Sequence, residues 1–230
     1  MSRIEESKKM LEAFGATGMS MSFTDSMFIP ISDTECLQTI ETTLKNGAVL
    51  QEIMHWKVSD DGTKMLTWGY HGDPMSHKLA VDGKPVTHEY FYPSHKVPPA
   101  GCADGEMTAK DAAKLCHLAF AKGDADAITS IWADTIIHAV CPKTEDIPHS
   151  GVHVGKDAGL AWLQNYAMSG IAYEWVEETC IVVNENMCFT FAIATYKDGS
   201  KGCECMRWIT KDGKLISWTC FGNTIVHAKK

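Results

Sequence analysis

The spacing of apolar and polar positions predicts a helix at the start of the second half of the chain. Leu115, Ala119 and Phe120 share one face at helical spacing. Thr108, with Asp111 three residues later, has the form of a capping box, in which the two side chains bond free backbone N–H groups of the first turn. Because Gly123 interrupts the apolar stripe, we expect this helix to end there.

The remainder of the second half predicts further helices and then strands. A short second helix carries Ile128, Ile131 and Trp132, and the β-branched run 135–140 predicts a strand. A loop at 141–155 leads into a third helix around residues 160–168. Four strand-like runs follow, with Asp-Gly pairs at 198–199 and 212–213 that are typical of hairpin turns. Helices followed by an antiparallel meander predict the α+β class.

The first half resembles the second in the order of its segments. In each half a helix-like stretch passes a glycine, Gly47 or Gly170, into a strand-like one. Similarity over the length of a domain predicts two copies of one fold rather than a solenoid. The matched segments are 8–14 with 114–120, 33–58 with 157–182, 64–68 with 187–191, 81–86 with 211–216, and 90–92 with 218–221.

A segment rich in proline and glycine, residues 93–105, divides the two halves. We therefore predict a shorter, degenerate repeat at 1–97, a linker at 98–105, and a second domain at 106–230 that holds the ligand pocket. A length of 230 residues fits two small domains of this kind.

Composition limits the possible partners. The net charge is −8 and the basic residues form no long run. Binding to nucleic acid or to an anionic membrane surface needs a dense cationic face, so neither partner is predicted. No segment approaches the roughly 20 apolar residues of a membrane span.

The nine cysteines predict a reducing compartment. Their number is odd, and Cys180, Cys188 and Cys220 lie within apolar strand patterns, which indicates buried thiols rather than a disulfide framework. The charged first residues lack the apolar core of a signal peptide. We therefore expect a cytoplasmic protein, and a transit peptide that is later removed stays open.

Three strings in the second half resemble a known family. They are AFAKGDADAI at 119–128 followed by Trp132, GVHVGKDA at 151–158, and DGKLIS at 212–217. Together they resemble the SnoaL-like polyketide cyclases and ketosteroid isomerases of the nuclear transport factor 2-like superfamily, over roughly residues 106–224. Through the repeat, the resemblance extends weakly to the first half.

The resemblance implies tandem cones, each a curved antiparallel sheet wrapped around helices, the cystatin-like roll. The interior of such a cone is an apolar pocket, which implies a hydrophobic small molecule as partner. Because the outer face of the sheet is a common dimer interface, the resemblance also implies an intramolecular pseudo-dimer or a homo-oligomer. No cofactor is predicted.

The catalytic groups of the ketosteroid isomerases are absent at the corresponding positions. Counting along the resemblance places Cys116, Val140 and Cys205 where that family has its tyrosine and two acids. The SnoaL-like cyclases place their carboxylate on the late strand, where the nearest acid is Glu204. Strand alternation predicts that Glu204 faces away from Cys205. Cys116, Val140 and Cys205 thus remain predicted lining positions of the ligand pocket.

Other polar side chains are candidates for catalysis. His138 shares strand parity with Val140, and a neutral imidazole in the cone would serve as a general base, although a histidine hydrogen-bonded to a neighbour at the cone mouth is an alternative. Arg207 or Tyr166 would polarise a ligand carbonyl. For Arg207, an ion pair with Asp134 or Glu204 is an alternative.

Aromatic and histidine side chains complete the predicted pocket. Trp132 and Trp218 are candidates to line it, and His149 and His153 join them from the loop at 141–155. A metal site formed with His138 and Cys141 is a further possibility, but the spacing matches no standard zinc site and the segment is a loop. No metal is therefore predicted.

Three functions follow as hypotheses. The first is binding of a hydrophobic cyclic or carbonyl-bearing compound in the second half, with non-redox acid–base chemistry such as cyclisation, isomerisation or dehydration. The second is a non-catalytic assembly module, which the missing catalytic groups favour. The third is a cofactor-free carbonic anhydrase, whose His-His-Ser-Ser signature is missing from the last strand, residues 218–221.

Overall fold

A computed structural model describes residues 20–43, 49–72, 96–140 and 147–222, together with Lys9 and Glu12. Several predicted features lie outside the described residues. They are Gly47, most of segment 8–14, segments 81–86 and 90–92, and Cys141 with the start of its loop.

The described part of the first half is a four-stranded antiparallel sheet, β1 to β4, paired in chain order. The helix that the sequence predicts before Gly47 is wrong, because residues 35–43 form strand β2. The alignment of segment 33–37 with 157–161 is wrong for the same reason, since residues 157–161 are helical. The strands are β1 (Ser20–Ser32), β2 (Glu35–Thr43), β3 (Val49–Val58) and β4 (Met65–His71).

The second half contains the predicted three helices and a larger sheet, which confirms the α+β class. The helices are α1 (Ala109–Lys122), α2 (Ala125–Ser130) and α3 (Lys156–Met168). The strands are β5 (Trp132–Val140), β6 (Gly151–Val154), β7 (Ala172–Glu174), β8 (Cys180–Asn184), β9 (Met187–Thr195), β10 (Lys201–Lys211) and β11 (Lys214–Phe221).

The strands of the second half form a seven-stranded mixed sheet in the order β6-β5-β11-β10-β9-β7, with β8 also paired to β9. β5 and β11 run parallel, and the other pairs are antiparallel. A short 3-10 helix, Glu177–Thr179, separates β7 from β8, so the single strand predicted at 173–183 is two strands.

The predicted capping box at Thr108 and the predicted hairpin turn at residues 212–213 are confirmed. The hydroxyl oxygen of Thr108 accepts a hydrogen bond from the backbone N–H of Asp111, and the carboxylate of Asp111 accepts one from the backbone N–H of Thr108. Asp212 and Gly213 form the β10–β11 hairpin with φ values of 51° and 67°, which matches the two left-handed residues of a type I′ turn.

Two hydrophobic cores lie on opposite faces of the β9–β11 sheet. Met206 and Trp208 point to the inner core, which the three helices cover. Cys205 and Ile209 point to the outer core, where they meet Ile29, Leu37 and Ile53 of the first sheet. The first sheet therefore covers the outer face of the second.

The first residues of the predicted linker are hydrogen-bonded to the second half. The side-chain amide of Asn186 donates to the carbonyl oxygens of Pro99 and Gly101 at 2.9 and 2.8 Å, and that of Asn184 donates to Pro98 at 2.9 Å. These bonds hold residues 98–101 against the turn between β8 and β9.

Candidate functional site

A fully buried carboxylate, Glu204, lies at the centre of the inner face of β10. The hydroxyl groups of Tyr173 and Tyr196 donate to its two oxygens at 2.7 and 3.0 Å, and the thiol of Cys220 donates at 3.3 Å. An ionised carboxylate accepts hydrogen bonds and donates none, so all three donors suit it. A side chain at Gly222 would place a Cβ 2.8 Å from Cγ of Glu204, so glycine leaves the space that the carboxylate fills.

A third tyrosine extends this group towards the helices. The hydroxyl of Tyr166, on α3, is hydrogen-bonded to that of Tyr173. Because Tyr173 gives its proton to Glu204, Tyr166 is the donor in this pair. Burial, with the nearby Cys220 and Glu204, raises the pKa of Tyr166 well above its usual value. Tyr166 is therefore a protonated donor at physiological pH.

Aromatic rings fill the interior around this chain of hydroxyl groups. Tyr166 stacks on Trp162 at a centroid distance of 5.0 Å, and Trp218 stacks on Trp208 at 4.4 Å. His149 meets Tyr166 edge-on at 4.8 Å. The cone interior is thus occupied by the protein's own side chains, and a ligand must displace some of them.

His138 lies among three tryptophans on the inner face of β5. Its ring is stacked on Trp162 at 4.2 Å and contacts Trp132 at 4.5 Å and Trp218 at 5.8 Å. Neither ring nitrogen has a hydrogen-bond partner among the residues described. Burial, with a smaller effect of His153, lowers the pKa of His138 to about 3, so the imidazole is neutral.

A second buried histidine, His117 on α1, also faces the interior. Its Nε2 lies 3.4 Å from Oγ1 of Thr190, which also accepts a hydrogen bond from Trp208 at 2.9 Å. Burial lowers the pKa of His117 to about 4. The two inner histidines whose pKa is lowered, His117 and His138, are therefore neutral at physiological pH.

A groove at the surface leads towards the tyrosine pair. It has a volume of about 190 Å³ and lies between the three helices. Phe120 forms part of its wall, and the same ring contacts Tyr166 at 5.5 Å and Tyr173 at 6.0 Å. Phe120 therefore separates the groove from the buried hydroxyl groups. The lining residues are Phe120, Ala125, Ile128, Leu163, Ala167 and Ile171.

The structure brings most of the sequence-predicted site residues to this interior. His138 and Val140 share the inner face of β5, as their parity predicts. Those in the inner core are Cys116, Trp132, Val140, Tyr166 and Trp218, and His149 contacts Tyr166. His153 lies on β6 opposite His138, and its Nε2 lies 3.0 Å from the carbonyl oxygen of Ser150.

Arg207 and Cys205 are placed apart from the others. Both lie on the outer face of β10, where the Arg207 guanidinium is 5.7 Å from the ring centroid of Phe221. The register that put Cys205 inside is off by one residue, and Glu204 takes that place, as alternation from Cys205 requires. Arg207 consequently shares no space with His138, and it cannot pair with Glu204 across the strand.

The other predicted partner of Arg207 is also engaged elsewhere. The carboxylate of Asp134 lies 2.8 Å from Nζ of Lys156, at the exposed start of α3. This ion pair holds the pKa of Asp134 below its usual value.

Three side chains of the interior were not among the predicted site residues: Tyr173, Tyr196 and His117. Tyr173 is the middle residue of β7 and pairs with Ala194, and Tyr196 directly follows β9 with the same parity as Ala194. Their shared inward parity was the available signal. His117 follows Cys116 on α1, and only its burial distinguishes it from a surface histidine.

Over the described residues, no group of three His, Cys, Asp or Glu side chains is arranged to hold a metal ion. In the same part of the chain, no helix combines the length and apolar character needed to cross a membrane.

The structural neighbours of the chain are nuclear transport factor 2-like proteins. One, from Burkholderia xenovorans, is 18% identical with a TM-score of 0.41, and the match covers 54% of this chain and 96% of that one. A putative polyketide cyclase from Sinorhizobium meliloti is 18% identical with a TM-score of 0.39, covering 48% and 93%. The nuclear transport factor 2-like description agrees with the superfamily that the sequence resembles.

A third neighbour is a protein from Mycobacterium tuberculosis in complex with estradiol-17beta-hemisuccinate. It is 12% identical with a TM-score of 0.44, and the match covers 52% of this chain and 98% of that one. A scan against models of protein families finds no match, and a search of curated proteins finds none either. Likeness at this level does not transfer a ligand or an activity, so the proposals below rest on the side chains of this chain.

Proposed function

We propose that the second half binds a neutral, cyclic, carbonyl-bearing small molecule beside Tyr166. The observation that carries the proposal is the chain of hydrogen bonds from Tyr166 through Tyr173 to the buried Glu204. Because Glu204 fixes the hydroxyl of Tyr173, it also fixes the acceptor of Tyr166. A ligand carbonyl that replaces this acceptor receives the hydrogen bond of Tyr166.

The surroundings favour a neutral and apolar ligand. Aromatic rings line the interior and suit a flat hydrocarbon skeleton. An anionic ligand would bring a second negative charge close to Glu204 in a poorly solvated space, which is unfavourable. The groove supplies the route of entry, and movement of Phe120 opens it to Tyr166.

The same chain supplies a route for a proton. In the enol form the ligand hydroxyl donates to the oxygen of Tyr166, so Tyr166 donates to Tyr173 again. The enol then gives its proton to Tyr166, Tyr166 passes its own proton to Tyr173, and Tyr173 passes its proton to Glu204. The ligand becomes an enolate and Glu204 a carboxylic acid, so the transfer balances. Isomerisation through an enol is the non-redox reaction that this route suits best.

The first sheet takes the position of a second subunit in this proposal. Its apolar face covers the outer face of β9–β11, where residues of both sheets form one core. This arrangement supports an intramolecular pseudo-dimer and leaves that face closed to assembly with a further copy. The small-molecule proposal is therefore preferred to the assembly module.

A matched pair of ligands tests the hydrogen bond from Tyr166. We expect 2-acetylnaphthalene to bind more tightly than 2-ethylnaphthalene, which has the same ring system without the carbonyl, by about 2- to 10-fold, the value of one hydrogen bond. Tyr166→Phe should abolish this difference at the site in the second half. Isothermal titration calorimetry measures both affinities. Equal affinities in the wild type would contradict carbonyl recognition, and no binding of either ligand would contradict the proposed site.

A variant that fills the groove tests the route of entry. Ala167→Trp places an indole in a groove of about 190 Å³, and we expect at least about tenfold weaker binding of 2-acetylnaphthalene at the site beside Tyr166. Ala161→Trp adds the same ring to an exposed position of α3 outside the groove lining, so its affinity should equal that of the wild type. The same affinity in both variants would show that the ligand enters elsewhere.

A further inference from the structure

The two halves share a residue pattern on one hairpin each. Glu52, Met54 and Trp56 on β3 recur with identical spacing as Glu204, Met206 and Trp208 on β10. On the following strands, Trp68 and Gly72 recur four residues apart as Trp218 and Gly222. An Asp-Gly pair occupies the turn of each hairpin, at 61–62 and 212–213.

The strand registers agree with this pattern. Trp56 pairs with Trp68 and stacks on it at 5.6 Å, and Trp208 pairs with Trp218 and stacks on it at 4.4 Å. The two hairpins therefore match on the side of these tryptophan pairs away from the turn, with β3 equivalent to β10 and β4 equivalent to β11, while the turn region is longer in the first half.

The hydrogen bonds of the two tryptophans also match. Nε1 of Trp56 donates to Gln38 at 3.0 Å, and Nε1 of Trp208 donates to Thr190 at 2.9 Å. Gln38 and Thr190 hold equivalent positions, because Gln38 pairs with Met54 and Thr190 with Met206. The equivalence thus extends to a third strand, with β2 matching β9.

Glu52 is the equivalent of Glu204 and has the same kind of surroundings. It is fully buried, and the hydroxyl groups of Thr42 and Tyr70 donate to its two oxygens. A Cβ at Gly72 would lie 2.6 Å from Oε1 of Glu52, as a Cβ at Gly222 would crowd Glu204. A buried carboxylate is unfavourable unless it accepts hydrogen bonds, and in both halves hydroxyl groups donate them.

Trp68 adds an observation that points to a ligand. Its indole Nε1 is buried, and no residue within the described ranges accepts its hydrogen bond. A buried donor without an acceptor is costly, about 1–3 kcal/mol, and calls for an explanation. Strand alternation puts Trp68 on the same face as Tyr70 and Glu52. An acceptor oxygen of a ligand on this face would satisfy the indole.

We propose that the first half carries a second small-molecule site, built on Glu52, Tyr70 and Trp68, for the same class of neutral carbonyl-bearing compound. The Trp68 indole donates to the ligand carbonyl. Tyr70, 40% exposed and bonded to Glu52, connects the buried carboxylate with the surface in the way that Tyr173 connects Glu204 with Tyr166. This inference rests on the proposed function, from which it takes the ligand class.

Calorimetric stoichiometry with 2-acetylnaphthalene tests the second site. We expect two equivalents per chain in the wild type and one in Ala167→Trp, in which the groove of the second half is filled. In the Ala167→Trp background, Trp68→Phe keeps a ring to stack on Trp56 and removes the pyrrole ring with its N–H, so 2-ethylnaphthalene serves as the control for the lost ring area. Trp68→Phe should weaken the remaining binding by about 2- to 10-fold and should leave 2-ethylnaphthalene unaffected.

The other outcomes separate the two proposals. One equivalent in the wild type and none in Ala167→Trp overturns the second site and leaves the proposed function standing. A different result is one equivalent in the wild type that Ala167→Trp does not change and that Trp68→Phe weakens. It overturns the proposed function and supports the first-half site. Absence of binding in every variant overturns both. Circular dichroism of each variant shows that it is folded.

Discussion

Trp208→Ala is expected to lower the free energy of unfolding by about 3–5 kcal/mol, the usual loss for a large aromatic side chain in a core. Trp208 is fully buried, stacks on Trp218 at 4.4 Å, and donates to Thr190 at 2.9 Å. Truncation removes the ring, leaves a cavity between β10 and α1, and removes the hydrogen bond that Thr190 accepts from the indole. Urea unfolding measures the loss as a change in midpoint at constant m value.

Trp56→Ala is the matched control, because Trp56 holds the equivalent position in the first half. Trp56 is only half-buried, so we expect a smaller loss. A loss below about 1 kcal/mol for Trp208→Ala would mean that the interior tolerates a void. That result would contradict the description of a cone filled by its own aromatic rings.

Acid is expected to destabilise the protein between pH 6.5 and about 3. Burial lowers the pKa of His138 to about 3 and of His117 to about 4, whereas both titrate near 6.5 in the unfolded chain. Above pH 6.5 the imidazoles are neutral in both states, and stability is complete. Below it the unfolded state binds protons that the folded state does not, so stability falls with pH.

The size of this effect can be measured at one pair of pH values. Between pH 7.5 and 5.0, His138 alone accounts for a loss of about 2 kcal/mol in the free energy of unfolding. His138→Phe keeps an aromatic ring between Trp132 and Trp162 and removes the titrating group. The variant should therefore lose about 2 kcal/mol less than the wild type over this interval. The same pH dependence in both proteins would show that His138 is not the buried neutral base described above.

Local signals were sufficient for several elements of the second half. The capping box at Thr108 and the Asp212–Gly213 turn are set by neighbouring residues, so the sequence predicts them without knowledge of the fold. The inner placement of His138 also follows from strand parity alone.

The prediction of a helix in the first half failed because strand β2 is covered on both faces. Leu37, Gln38, Thr39 and Ile40 of β2 are all buried, so the polar–apolar alternation of a half-exposed strand is absent. A short run of this kind cannot be told from a helix by periodicity. The equivalence of the two hairpins could have been predicted from a repeated spacing in the sequence. Glu52, Met54 and Trp56 recur with the same spacing as Glu204, Met206 and Trp208.

The carboxylate was misplaced by one step of strand register. The sequence count put Cys205 inside, and a shift of one residue reverses every face of a strand. The filling of the cone could not be predicted either, because the same aromatic residues would line an open pocket. Only the ring contacts, such as that of Trp162 with Tyr166, decide between the two.

Native mass spectrometry tests the central claim, that the interior beside Tyr166 and Glu204 is a small-molecule site. The gently purified protein is compared with its denatured mass, alone and after incubation with 2-acetylnaphthalene, beside Ala167→Trp. The account predicts a neutral organic mass on the wild-type protein, either retained from purification or added as the ketone, and less of it on Ala167→Trp. The bare protein mass under both conditions would contradict the account.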